Sequence, residues 1–72
     1  MIQGYYVPEV EKAINNTVFA EENRKIMRGL FIYGKTYEAQ AYESNLSLRG
    51  LHKRVSILYP PVIDYLKKNR IN

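Results

Sequence analysis

The sequence predicts an all-α fold: a small helical domain of four to five short helices, with a helix-turn-helix at about 36–58. Three observations carry this expectation. Apolar residues recur at helical spacing in successive stretches of the chain. Those stretches begin with proline, acidic or hydroxyl residues, the types that favour a helix N-terminus. Between the last two stretches lies Ser44-Asn45-Leu46-Ser47, in which Asn45 is one of the few non-glycine types that tolerate a positive φ.

Size and composition narrow the possibilities. A chain of 72 residues is a single domain near the lower limit at which a hydrophobic core alone holds a fold, so self-association would help it. Cysteine is absent and there is one histidine, His52. That leaves no disulfide, no thiolate and no metal cluster to assemble, and no cofactor is expected. No stretch approaches the roughly 18 apolar residues of a membrane span. The start Met1-Ile2-Gln3-Gly4 does not resemble a charged signal-peptide start. The expectation is a soluble cytoplasmic protein with no membrane partner.

The first residues, Met1 to Val7, are apolar and aromatic around a glycine, and fit either an extended arm or a short strand. Pro8 suits the first helical position, Glu9 and Glu11 complement the helix dipole, and Val10, Ala13, Ile14, Thr17 and Val18 share one face. A first helix from about Pro8 to Phe19 follows. A second begins near Glu21-Glu22 and places Ile26, Met27, Leu30 and Phe31 on one face, with Arg24, Lys25 and Arg28 on the other. Gly34 is a suitable stop. A buried strand over Leu30-Phe31-Ile32-Tyr33 is the competing reading.

Thr36 offers a hydroxyl N-cap to a short helix from Tyr37 to Ser44 with Tyr37 and Ala41 inward. After the Asn45 turn, Leu46 plugs the angle between helices and Ser47 caps the next. There, Leu48, Leu51, Val55 and Leu58 form an apolar stripe expected in the core. Gly50, in the helix interior, costs about 1 kcal/mol relative to alanine, which close approach to a DNA backbone or to the neighbouring helix would offset. Pro60-Pro61 is expected to end the helix, because proline lacks the amide donor and disfavours helix in the residue before it. Val62, Ile63, Tyr65 and Leu66 then make a separate short amphipathic segment.

The net charge of +4 is unevenly distributed. Residues 1–23 hold four glutamates against one lysine, whereas residues 24–72 hold ten cations against three acids. No acid lies between Glu43 and Asp64, and Arg49, His52, Lys53 and Arg54 fall inside that gap. A polyanion is the natural partner of such a surface. A small residue at a helix crossing (Ala41), a turn (Asn45), an apolar plug (Leu46) and a capped helix with a basic outer face are what a major-groove reader needs. The carboxylates sit mainly at helix starts and no nucleophile and base pair emerges, so catalysis is not expected and no small-molecule substrate is evident.

The run from Val10 to Leu58 resembles the DNA-binding domain of the KorA (TrfB) family of plasmid global repressors. The likeness lies in Ala13-Ile14, Ile26, Arg28-Gly29 with the apolar triplet after it, Gly34-Lys35, Ala41, Leu46-Ser47 and Val55. The PapB-type fimbrial regulators share a similar lead into their helix-turn-helix and are a more distant likeness. The resemblance implies an all-helical domain that binds a palindromic operator on double-stranded DNA as a homodimer, excluding RNA polymerase from a promoter. Carried over by position, the reading face is Ser47, Leu48, Arg49, His52, Lys53 and Ser56. Apart from the resemblance, Arg24, Lys25, Arg28, Lys35 and Arg54 are expected to offer positioning contacts at the flanks, and Thr36 is counted with the DNA-binding residues. Gln40 and Ser44 stand where the family has larger apolar residues, which implies a looser or rotated α-helix before the turn, and Leu48 stands where a polar residue is expected. The family's separate dimerisation segment is reduced to Pro60 through Asn72, so pairing falls to Val62, Ile63, Tyr65 and Leu66 or to the N-terminal arm.

Two functions from different classes remain open on sequence alone. The first is a sequence-specific transcriptional regulator, most readily a repressor, although the same fold serves activators and anti-terminators. The second is a small plasmid or phage adaptor whose basic face docks on an acidic protein surface.

Overall fold

The computed structural model describes residues 2–70. Among these residues the chain forms four helices and no strand: α1 (Val7–Thr17), α2 (Glu21–Phe31), α3 (Tyr37–Glu43) and α4 (Leu48–Asn69). None is long and apolar enough to cross a membrane.

In α1, Pro8 occupies the second helical position rather than the first. The Glu9 carboxylate reaches back to accept from the Tyr6 amide at 2.9 Å, satisfying a donor that the helix itself cannot. The helix ends at Thr17, two residues before the expected Phe19. Val18 instead takes extended backbone and buries its branched side chain, while Phe19 is left 77% exposed. Arg24 of α2 makes that early stop tolerable: its guanidinium donates to the carbonyls of Val18 and Asn15, at 2.5 and 3.1 Å.

The N-terminal residues form neither a strand nor a free arm. Gly4, at φ +88°, lets the chain turn so that the Tyr5 amide approaches the Ile2 carbonyl and Ile2 enters the core. Arg70 closes the other side, donating to the Gly4 carbonyl and the Glu9 carboxylate, each at 2.6 Å, and lying 4.1 Å over the Tyr5 ring. The Tyr6 amide, then Arg70, hold the Glu9 carboxyl below its ordinary range.

Leu30 and Phe31 close α2, so the strand alternative for this stretch does not hold. Gly34, at φ +73°, turns the chain, and the Arg28 carbonyl accepts from both Ile32 and Tyr33 amides. The Lys35 amide returns to the Gly29 carbonyl at 2.9 Å.

The expected stop at Pro60-Pro61 is overturned: α4 runs unbroken through both prolines to Asn69. Each proline removes a backbone bond and costs about 3 kcal/mol in a helix interior. Burial on the far side opposes this, because Val62 and Leu66 are 0% and 4% exposed, each contributing about 1.5–3 kcal/mol. Ile63 and Tyr65 pack partly against the same cluster. Both prolines lie on the exposed side of α4, where water can serve the freed carbonyls.

Two apolar clusters result, strung along α4. One gathers Ile2, Val10, Ala13, Ile14, Val18, Met27, Val62 and Leu66. The other gathers Ile26, Leu30, Ala41, Leu51 and Val55, with Tyr37 and Leu46 at its edge. Phe31 and Tyr59 join them, their rings 5.2 Å apart. The expected pairing segment therefore needs correction: Val62 and Leu66 are buried in the chain's own core and are not available to face a second copy. The N-terminal arm is folded onto that core as well. Ile71 and Asn72, the end of the expected C-terminal segment, and Met1, the start of the arm, lie outside the described residues.

Candidate nucleic-acid interface

The turn between α3 and α4 is assembled by local chemistry. The Thr36 hydroxyl accepts from the Ala39 amide at 3.0 Å and starts α3. Asn45 adopts φ +60°, the only non-glycine positive φ among the described residues. The chain then reverses so that the Leu46 amide meets the Ala41 carbonyl at 2.9 Å, and Leu46 packs at the edge of the second cluster. Ser47 accepts from the Gly50 amide at 2.9 Å and starts α4. At Gly50 a Cβ would meet no neighbouring helix within 4 Å; its one near contact is the Ser47 hydroxyl, at 3.0 Å, which would have to shift by a few tenths of an ångström.

Past the cap, Ser47, Leu48, Arg49, His52, Lys53 and Ser56 are all exposed, and α4 brings them together on its first turns. Leu48 is 43% exposed and departs from the expected stripe; only Leu51 and Val55 enter the core, with Leu58 half-buried. The spacing is right, but Leu48 is the first residue of α4 and joins neither apolar cluster. The Ser56 hydroxyl turns inward to donate to the Lys53 carbonyl at 2.6 Å.

Ion pairing separates the cations into two sets. Arg24 and Arg28 are tied to α1, with Arg28 donating to Asn15 Oδ1 at 2.6 Å and standing 4.0 Å from Glu21. Lys35 is held by Glu43 at 2.7 Å. Arg54 is turned toward α2, 3.2 Å from Asn23 Oδ1 and 3.7 Å from Glu22. These side chains, including the expected flanking contacts Arg28, Lys35 and Arg54, have intramolecular duties. Arg49 and Lys53 have no ion-pair or side-chain hydrogen-bond partner among the described residues and point from α4 into solvent.

His52 is not a loose surface histidine. Its ring stacks on Tyr37, with centroids 4.3 Å apart and planes 7° from parallel. This fixes the imidazole beside Arg49 and Lys53. The pairing was hidden in the sequence, since fifteen residues separate the two rings and only the α3–α4 crossing brings them together. Tyr42, near the end of α3, is 87% exposed.

The helix before the turn is not looser for carrying Gln40. Its side chain is 3% exposed and donates to the Ser44 hydroxyl at 2.9 Å. Room for it comes from Gly29 on α2: a Cβ at that position would collide with Gln40 Oε1 and lie 2.9 Å from its Cδ. A bare glycine facing a buried amide thus sets the approach of α2 and α3.

A capped helix end with two unpaired cations and a fixed imidazole is suited to contact phosphate and base edges. Among the described residues no group of three acidic, histidine or cysteine side chains is placed to hold a metal ion. Compared with known proteins, the chain matches no family model, no curated protein and no solved structure.

Proposed function

We propose that this protein is a sequence-specific DNA-binding transcriptional regulator that inserts the first turns of α4 into a major groove. The observation that carries the reading is the pair Arg49 and Lys53. Four residues apart on the capped end of α4, they are left without partners while their neighbours Arg28, Lys35 and Arg54 are neutralised within the chain. Arg49 reads a base edge, Lys53 and the Ser47 end of the helix engage phosphate, and His52 is held against Tyr37 between them. The likeness to the KorA plasmid repressors favours repression at a palindromic operator by two copies of the chain. With Val62 and Leu66 inside the protomer, such pairing falls to exposed residues or to the DNA itself.

Selection of bound sequences from a random pool of double-stranded DNA tests this. Enrichment of a palindrome is the expected outcome and would establish both specificity and two-fold symmetry. Absence of any enriched sequence would overturn the reading and transfer the basic surface to an acidic protein partner.

A further inference from the structure

His52 is exposed, yet its ring is placed from two sides of the turn. The imidazole lies 4.3 Å from the Tyr37 ring, with the planes 7° from parallel. Two caps fix the backbones that carry the pair. The Thr36 hydroxyl, accepting from the Ala39 amide at 3.0 Å, makes Tyr37 the first residue of α3. The Ser47 hydroxyl, accepting from the Gly50 amide at 2.9 Å, starts α4, in which His52 is fifth. Tyr37 is itself half-buried and packs against the cluster that holds Leu51 and Val55. The phenol is a seated platform on which the imidazole rests.

What the stack leaves open decides the chemistry. A parallel stack covers one face of the imidazole, whereas both ring nitrogens lie in the ring plane and take no part in it. No hydrogen bond among the described residues uses either nitrogen. An imidazole held this way offers its nitrogens along a set direction and has less rotamer freedom left to lose on binding. Phosphate oxygens, which the flexible Lys53 can meet from many angles, gain little from that order. A base edge gains more, because its acceptors lie in one plane and must be met in it. In the major groove N7 is an acceptor on both purines, and an imidazole N–H is a donor for it.

We propose that His52 donates to a purine N7 in the major groove and that Tyr37 is the positioning residue that aims it. The readout rests on the DNA-binding reading; the stack does not. α3 thereby takes part in specificity through a side chain that need not touch DNA.

Stack and readout are tested separately. Because His52 is the only histidine, its two ring C–H signals are unambiguous in the NMR spectrum of the free full chain. They should lie upfield of their positions in the urea-unfolded chain, stay there in Tyr37→Phe, and move back in Tyr37→Leu. For the readout, the DNA is the sequence enriched from a random double-stranded pool, with a 7-deazapurine, in which C–H replaces N7, placed at one purine at a time. One such change should weaken binding by the parent about 3–10-fold and leave His52→Ala unaffected. Tyr37→Phe should keep that sensitivity and Tyr37→Leu should lose most of it. The Tyr37→Leu, His52→Ala double variant should bind no more weakly than His52→Ala alone. Parent ring signals at their unfolded positions would overturn the platform. A His52→Ala protein with the parent's response to every 7-deazapurine would overturn the readout, and a folded Tyr37→Leu protein with that response would overturn the positioning. Should Tyr37→Leu not fold, the parent ring signals and the comparison with His52→Ala decide. If no sequence is enriched, the DNA-binding reading fails and the readout with it; an enriched sequence bound alike by parent and His52→Ala sinks the readout alone.

Discussion

Replacing Gly29 by alanine should destabilise the protein, against the ordinary rule for helices. In an open helix interior this substitution gains about 1 kcal/mol, because alanine restricts the unfolded chain. At position 29 the added Cβ would overlap Gln40 Oε1 and stand 2.9 Å from Cδ. A long side chain could normally swing aside, but Gln40 is 3% exposed and enclosed between α2 and α3. Moving it breaks the bond to Ser44, a loss of about 1 kcal/mol, and overpacks the crossing at about 1–3 kcal/mol. The net expectation is a destabilisation of about 1–3 kcal/mol, which for a domain of this size lowers the Tm by roughly 4–8 °C per kcal/mol. Urea and thermal unfolding of Gly29→Ala, Gln40→Ala and the double variant form a cycle that isolates the contact. The double variant should recover most of the Gly29→Ala loss, giving a coupling energy of about 1 kcal/mol or more. A Gly29→Ala protein as stable as the parent, or strict additivity in the cycle, would refute the close α2–α3 approach.

Other expectations concern the DNA-reading surface, the proline step and the terminal clasp. Arg49→Ala should leave the Tm within about 0.5 kcal/mol of equivalent stability, since the side chain has no partner to lose. It should weaken operator binding by about 1–3 kcal/mol with relaxed preference at one base position; equal weakening on all sequences in a binding assay would remove Arg49 from base readout. Substituting both Pro60 and Pro61 by alanine should restore two backbone bonds and raise stability by about 2–4 kcal/mol, after the entropy gained by the unfolded chain is subtracted. A lower Tm in thermal unfolding would contradict the continuous α4. Because Glu9 titrates below its ordinary value of 4.5 in the folded state, the unfolded chain binds its proton first on acidification. Its stabilising contribution is therefore present above that pH and lost as pH falls through the depressed folded value. The Tm gap between the parent and Glu9→Gln should be steady near neutral pH and close below 4.5; a gap that widens on acidification would be inconsistent with this clasp.

Features decided by neighbouring residues were legible before any coordinates. Thr36, Asn45 and Ser47 act through hydroxyls and backbone angles within three residues, and they do what their types predict. Periodicity also located α2, where Ile26, Met27 and Leu30 bury one face. What was misread depends on distant partners. The local preference of Pro60-Pro61 to stop a helix is outweighed by Val62 and Leu66 meeting α1, and α1 lies some fifty residues earlier. Leu48 fits the stripe in period but joins neither apolar cluster. By sequence Arg54 is one more cation beside Arg49 and Lys53, and only the fold brings Asn23 and Glu22 of α2 to it. Gly29 appeared only as half of an Arg-Gly pair, and its purpose requires Gln40 from the next helix. The part of the candidate surface that sequence supplied is its outline; which cations remain free is a property of the fold.

The long α4 also bears on how small the proposed DNA-reading part can be made. The residues that hold the turn in shape, from Ile26 to Val55, form a cluster within about thirty residues, fewer than the roughly 40 below which an unassisted core seldom persists. They are steadied by the other cluster, which α1 and the far end of α4 build around the N-terminal turn. In a chain cut after Tyr59, Val62 and Leu66 would be gone and α1 would lose its main seat, although no residue of the DNA-reading surface had been touched. The hind part of the molecule therefore serves as ballast for the proposed DNA-reading surface, to which it contributes no residue.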